Sequence, residues 1–240
     1  MRSGIDPAGR EDEADQGADR GLQAVTFDMD GLLVDSEPLW FEAEAAIMTR
    51  LGSPWGPADQ EHLIGGSLAR STAYMQSKAA QPVPQEVIGQ WLTTGMADLV
   101  RARGVQVMPG ALELLAEVAG AGLPYALVTS AEPEIVAATL DSIGVGFPVT
   151  VCAADVARGK PDPEPYLLAA TRLGVTPGRC VALEDSPTGI RSAHAAGLTV
   201  VAVPSVPPPP GLARLTVPSL RAVDLATLRE AAAGPKRGDP

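Results

Sequence analysis

Sulfur, aromatic rings and positive charge are all scarce in this sequence. Its 240 residues include two cysteines and three each of Trp, Tyr and Phe. Two cysteines cannot build a multi-bridge framework. Cys152 and Cys180 sit in apolar, strand-like runs and read as buried small hydrophobes, with a disulfide or metal pair as the alternative. Eighteen Lys and Arg stand against 29 Asp and Glu, a formal net charge of −11. No basic face of the kind a nucleic-acid binder carries is visible, so nucleic acid is not an expected partner. No apolar run approaches the roughly 18 residues that span a bilayer, so no membrane partner is expected either. Met1 to Arg20 is rich in Gly, Asp and Glu and lacks the pattern of a secretory leader. A soluble, cytoplasmic protein is therefore expected, with monomer as the default state. An acidic protein that handles an anion must gather positive charge locally, from a metal, a lysine or backbone amides.

What remains is ordinary for a globular chain: 45% apolar and 20% charged residues, enough to bury a sizeable core. The length exceeds one typical domain, so a large domain or a core with an insertion is expected. Residues 1–20 read as a disordered acidic tail. From Leu22 short apolar runs begin, the first ending at Asp28. Others are Tyr125–Val128, Val149–Cys152, Cys180–Leu183 and Thr199–Val203. Helical spacing recurs between the later four, near 134–143, 163–173 and 187–196. Strands alternating with helices predict an α/β core, a three-layer Rossmann-like parallel sheet over 21–35 and 105–232.

The stretch 36–104 breaks this alternation. Ser36-Glu37-Pro38 opens a helix, and further helical patterns follow near 58–63, 68–80 and 84–102. This predicts an inserted helical cap. After Val203 come Pro204 and Pro207–Pro210, a stiff loop, then a short helix near 224–232 and a flexible tail over 233–240.

In open parallel sheets, ligands bind outside the carboxyl ends of the strands, so polar residues there attract attention. Asp28-Met29-Asp30-Gly31 is compatible with a simple turn. It is equally compatible with a nucleophile and a general acid/base, and with a hard oxygen site for Mg²⁺. Thr129-Ser130 reads either as an ordinary helix cap or as a phosphoryl-binding hydroxyl and amide. Lys160, held between Gly159 and Pro161, Pro163 and Pro165, is either a surface charge or a rigidly placed cation. Glu184-Asp185-Ser186 ends a fourth strand, as a helix cap or as two further carboxylates for a cation.

Taken together these segments resemble the haloacid dehalogenase superfamily, and within it the β-phosphoglucomutase-like phosphatases with a helical cap. The matching text is Phe27-Asp28-Met29-Asp30-Gly31-Leu32-Leu33-Val34-Asp35-Ser36-Glu37, Val128-Thr129-Ser130, Gly159-Lys160-Pro161 and Leu183-Glu184-Asp185-Ser186-Pro187-Thr188-Gly189-Ile190. The resemblance implies Asp28 as nucleophile and Asp30 as general acid/base. It implies Mg²⁺ held by Asp28, by Asp30 through its backbone carbonyl and by Asp185, with support from Glu184, and Thr129, Ser130 and Lys160 on the phosphoryl group. Asp35 would pack at the cap hinge. The implied activity is hydrolysis of a small phosphomonoester, such as a sugar, polyol or related metabolite phosphate, through an aspartyl-phosphate.

Two alternatives stand beside it: a phosphomutase, and a catalytically vestigial partner-binding module. β-Phosphoglucomutases use basic and imidazole groups from the cap, where this sequence has Trp40, Ile64 and Leu68, which favours hydrolysis. The cap's lysine, Lys78, reads as a solvated charge rather than a Schiff-base group. Trp40, Gly65, Gly66, Ser67 and Arg70 lie where a substrate-specificity loop is expected.

Overall fold

A computed structural model describes residues 21–63 and 66–234. The tail at 1–20, residues 64–65 and the final residues 235–240 lie outside that description, and with them the expectations placed on Ile64, Gly65 and both tails.

Strand β1 (Ala24–Phe27) is buried along its whole length. It lies between β4 (Tyr125–Val128) and β6 (Cys180–Glu184), parallel to both. Beyond β4 comes β5 (Val149–Val151), and beyond β6 come β7 (Thr199–Ala202) and β8 (Leu215–Thr216). The six-stranded order is thus β5-β4-β1-β6-β7-β8, with the direction of winding reversing at β1. That reversal opens a crevice at the carboxyl ends of β1, β4 and β6, where α/β sheets bind ligands.

Side chains alternate across the sheet with a period of two. Val25, Phe27, Leu127, Val181, Leu183 and Val201 enter one core, shared with α5 (Ala111–Gly120), α6 (Pro133–Ile143) and α9 (Leu225–Ala233). Ala24, Ala126, Val128, Ala182 and Val200 enter the other, shared with α7 (Glu164–Leu173) and α8 (Pro187–Ala195). Both faces being covered, the strands carry almost no polar residue until they end.

Four helices intervene between β2 (Val34–Asp35) and β3 (Gln106–Val107): α1 (Glu37–Arg50), α2 (Pro57–Leu63), α3 (Leu68–Lys78) and α4 (Gln85–Arg103). The two short strands pair antiparallel, Asp35 opposite Gln106, and so form a narrow neck at the root of the insertion. Ala43, Ile47, Met48, Leu51, Met75, Ile88 and Leu92 make a third core inside the insertion. Helix α4 belongs to two cores: Ile88 and Leu92 lie in the insertion, while Met96, Ala97 and Val100 pack into the main one. The neck, α5 and β8 are elements that sequence reading did not mark.

Candidate active site

Asp28 follows β1, Thr129 follows β4, and Glu184 and Asp185 end β6. Parallel pairing brings these ends side by side, and Lys160 reaches in from the loop before α7. Its ammonium donates to Asp28 Oδ1 at 2.5 Å, to Glu184 Oε1 at 2.6 Å and to the Val128 carbonyl at 2.9 Å. Four distant stretches of chain therefore meet at one point. Burial alone would lower the Lys160 pKa, but the Asp28 and Glu184 carboxylates beside it hold it above the usual lysine range.

Glu184 is fully buried and saturated with donors. The Tyr166 hydroxyl donates to the same oxygen as Lys160, at 2.5 Å, and the Ser186 hydroxyl and amide reach the other. Gly189 makes room: a β-carbon there would overlap the Glu184 carboxylate. Asp185 differs, since its Oδ1 is buried with no hydrogen-bond partner among the described residues. A buried, unpaired carboxylate oxygen is costly unless a cation or donor meets it. Burial and the neighbouring Asp28 and Glu184 push Asp185 up to about 9. Burial likewise pushes Asp28 up to about 8, against the pull of Lys160. Oxygens of Asp28, Glu184 and Asp185 lie within 4.8 Å of one another. This crowding of hard oxygen donors around one lysine, with one oxygen unclaimed, fits a divalent cation such as a hard, oxygen-liganded metal.

Asp30 sits two residues on, accepting from the Ser36 hydroxyl at 2.6 Å, with the polar groups of Trp40 and Thr129 nearby. Burial raises its pKa despite these donors. Gly31 turns the chain with φ of +79°, and a β-carbon there would run into the Asp185 carboxylate. Glycine is required on both counts. Thr129 is buried, its hydroxyl accepting from the Ala131 amide at 3.1 Å. Ser130 lines the same cleft.

Above these groups lies a cleft with about 900 Å³ of space, part of it open to solvent. Asp28, Asp30, Thr129, Ser130, Lys160 and Asp185 form its floor. From the insertion it receives Trp40, Gly66 and Leu68, and also Glu37, Glu44, Gln60 and Ser71, which sequence reading had not singled out. Ser67 and Arg70 are not among its lining residues. Ser67 caps α3, accepting from the Arg70 amide, and the exposed Arg70 guanidinium is bound to the His62 carbonyl. Lys78 is paired with Asp59, also away from the cleft. Both cysteines are free and buried, as small hydrophobes. Among the described residues no helix is long and apolar enough to cross a membrane.

The sequence from 22 to 197 matches a family model described as haloacid dehalogenase-like hydrolase. The chain belongs to that family. Hexitol phosphatase A of Escherichia coli (strain K12) is 34% identical over 182 residues, covering 74% of this chain and 81% of that protein. A CbbY variant from Rhodobacter sphaeroides, solved with xylulose-(1,5)bisphosphate, superposes with a TM-score of 0.79 at 29% identity, over 86% of this chain and 99% of the other. A β-phosphoglucomutase from Clostridium difficile has a TM-score of 0.74 over 88% of this chain and 97% of its own, but at 22% identity that likeness concerns the fold. Placed in this family and among these relatives, the haloacid dehalogenase-like chain is a phosphomonoester hydrolase.

Proposed function

We propose that this hydrolase removes phosphate from a sugar or polyol phosphate, working as a cytoplasmic monomer, with Asp28 as nucleophile and Mg²⁺ as cofactor. One observation carries the reading: the Lys160 ammonium joins Asp28 to Glu184 directly beside an unclaimed Asp185 oxygen, at the floor of a solvent-reachable cleft.

In this reading an Asp28 oxygen attacks phosphorus and the bond to the substrate's alcohol oxygen breaks. Asp30 donates its proton to that departing oxygen. Its burial, which raises the pKa, favours the protonated form needed for this step. The resulting acyl phosphate on Asp28 is then opened by water, with Asp30, now ionised, taking a proton from the water as it attacks. Free phosphate leaves and the carboxylate of Asp28 is restored. Thr129, Ser130 and Lys160 hold the phosphoryl oxygens, whose spread negative charge makes positioning and charge neutralisation the main sources of rate. The carboxylates of Asp28 and Asp185 and the backbone carbonyl of Asp30 would hold Mg²⁺, with Glu184 supporting the group from behind through Lys160. Bound there, the ion would supply Lewis-acid neutralisation of phosphoryl charge. Asp35, in the neck, would serve the junction between core (21–35 and 105–232) and cap (36–104).

A mutase must offer groups that hold a phosphosugar in two orientations. The cap side of this cleft presents Trp40 and Leu68 beside acidic and amide groups, and no basic or imidazole group among its described lining residues, which favours simple hydrolysis. The test is release of inorganic phosphate from p-nitrophenyl phosphate and a panel of sugar and polyol phosphates, with and without Mg²⁺. Turnover is expected only with the metal, and Asp28→Asn is expected to bring it below detection. Isomerised sugar phosphate without free phosphate, or full activity in Asp28→Asn, overturns the proposal.

A further inference from the structure

The cleft is lined by six carboxylates, of which Asp28, Asp30 and Asp185 belong to its floor. The remaining three, Glu37, Glu44 and Glu132, stand where the rest of a bound substrate must lie. Against them the described lining residues include one cation, Lys160, and it is engaged by Asp28 and Glu184. Positive charges of the insertion are held elsewhere: Arg50 over the Trp91 ring, Arg70 on the His62 carbonyl, Lys78 on Asp59, Arg101 on Asp98 and Glu134, Arg103 on Glu42. A second anion on the substrate would thus meet carboxylates and find no counter-charge.

Glu44 is the group that makes this specific. It is 4% exposed, yet lines the cleft. The Trp55 indole donates to its Oε2 at 3.2 Å, which fixes the carboxyl at the cleft wall. Glu37 lies seven residues earlier, two helical turns along the same face of α1, its carboxylate fixed by Gln60 at 3.3 Å. A largely buried carboxyl that lines a cleft is stabilised by a donor, either a hydroxyl or an ammonium, and destabilised by another carboxylate or phosphate. Burial and the nearby Glu37 and Asp59 carboxylates already push Glu44 up to about 7.

We infer that Glu44, backed by Glu37, determines specificity for the alcohol part of the substrate: it selects an alcohol bearing hydroxyl or ammonium donors and rejects one bearing a second anion. The inference rests on the phosphatase reading of the same cleft. It separates this chain from the CbbY structure above, whose ligand is a bisphosphate.

Three linear six-carbon phosphates that differ only at C1 test it: glucitol 6-phosphate, 1-amino-1-deoxyglucitol 6-phosphate and 6-phosphogluconate. They carry there a hydroxymethyl, an aminomethyl and a carboxylate group. With the full-length protein and Mg²⁺, kcat/KM is expected to be highest for the amine and lowest for the carboxylate. The carboxylate should fall about 10-fold or more below the hydroxyl compound, since like charges brought together repel. In Glu44→Gln the ratio of amine to carboxylate turnover should drop by a similar factor. Equal use of the hydroxyl and carboxylate compounds, or an unchanged ratio in a folded Glu44→Gln, overturns the inference. If that variant does not fold by circular dichroism, the order in the unmodified protein decides. p-Nitrophenyl phosphate, which has no such groups, separates the two levels. Its hydrolysis with a flat order among the three compounds removes the specificity inference alone. No hydrolysis of any compound removes the phosphatase reading and the inference together.

Discussion

Gly31 and Glu44 show how much a single position decides here. At Gly31 the backbone is left-handed and a β-carbon would occupy the space of the Asp185 carboxylate. Gly31→Ala is therefore expected to cost about 1–3 kcal/mol from steric conflict and strain. Phosphate release should fall with it, because the displaced group is the carboxylate with the unclaimed oxygen; thermal melting and a turnover assay check both. At Glu44 burial holds the carboxyl up to about 7 in the fold, against an ordinary value of 4.5. The unfolded chain loses that proton first, so the folded state binds more protons between these values. The contribution of Glu44 to stability is thus fully present below pH 4.5, lost as pH rises toward 7, and flat above. Wild type minus Glu44→Gln, followed by urea unfolding across this window, should decline by on the order of 2–3 kcal/mol. A difference that does not vary with pH would sink this assignment.

Among the elements, α7 carries the least obvious contribution. Its first turn places the fully buried Tyr166 hydroxyl on Glu184, the carboxylate that also holds Lys160. Tyr166→Phe leaves a buried charged acceptor short of a donor, a cost of about 2 kcal/mol. For a chain of this size the melting temperature should drop roughly 4–8 °C, and turnover should fall as Lys160 loosens. Unaltered melting and turnover would show that Tyr166 only fills space. Strands β1, β4, β5, β6 and β7 were legible in the sequence because both sheet faces are covered. A mostly apolar run then ends at the acidic cluster, as at Phe27-Asp28 and Leu183-Glu184-Asp185. The neck β2–β3 and strand β8 were not legible, since two residues carry no periodicity. Helix α5 was legible in principle, since Ala111, Leu114, Leu115 and Val118 recur at helical spacing and are the residues it buries. The wall formed by Glu37 and Glu44 was illegible. On a helix rich in charge these residues look like a solvated face, and only the fold turns that face inward over the floor of the cleft.

At the scale of the whole molecule, a chain of net charge −11 concentrates several carboxylates in one buried place. Mg²⁺ that binds the folded state alone should stabilise it by about 2.7 kcal/mol at a hundred times its Kd. That corresponds to a rise of roughly 5–10 °C in melting temperature. Asp185→Asn should erase the rise, and a variant that keeps it would place the ion elsewhere. The shared helix α4 bears on how anything reaches this place. Met96, Ala97 and Val100 are rooted among the main-core residues, while Ile88 and Leu92 are rooted in the insertion. A wholesale swing about the neck would pull three fully buried side chains into water, so it carries a hydrophobic cost of several kcal/mol. Because α4 is packed into both bodies, it splints them together, and any opening must break its contacts with one body or the other.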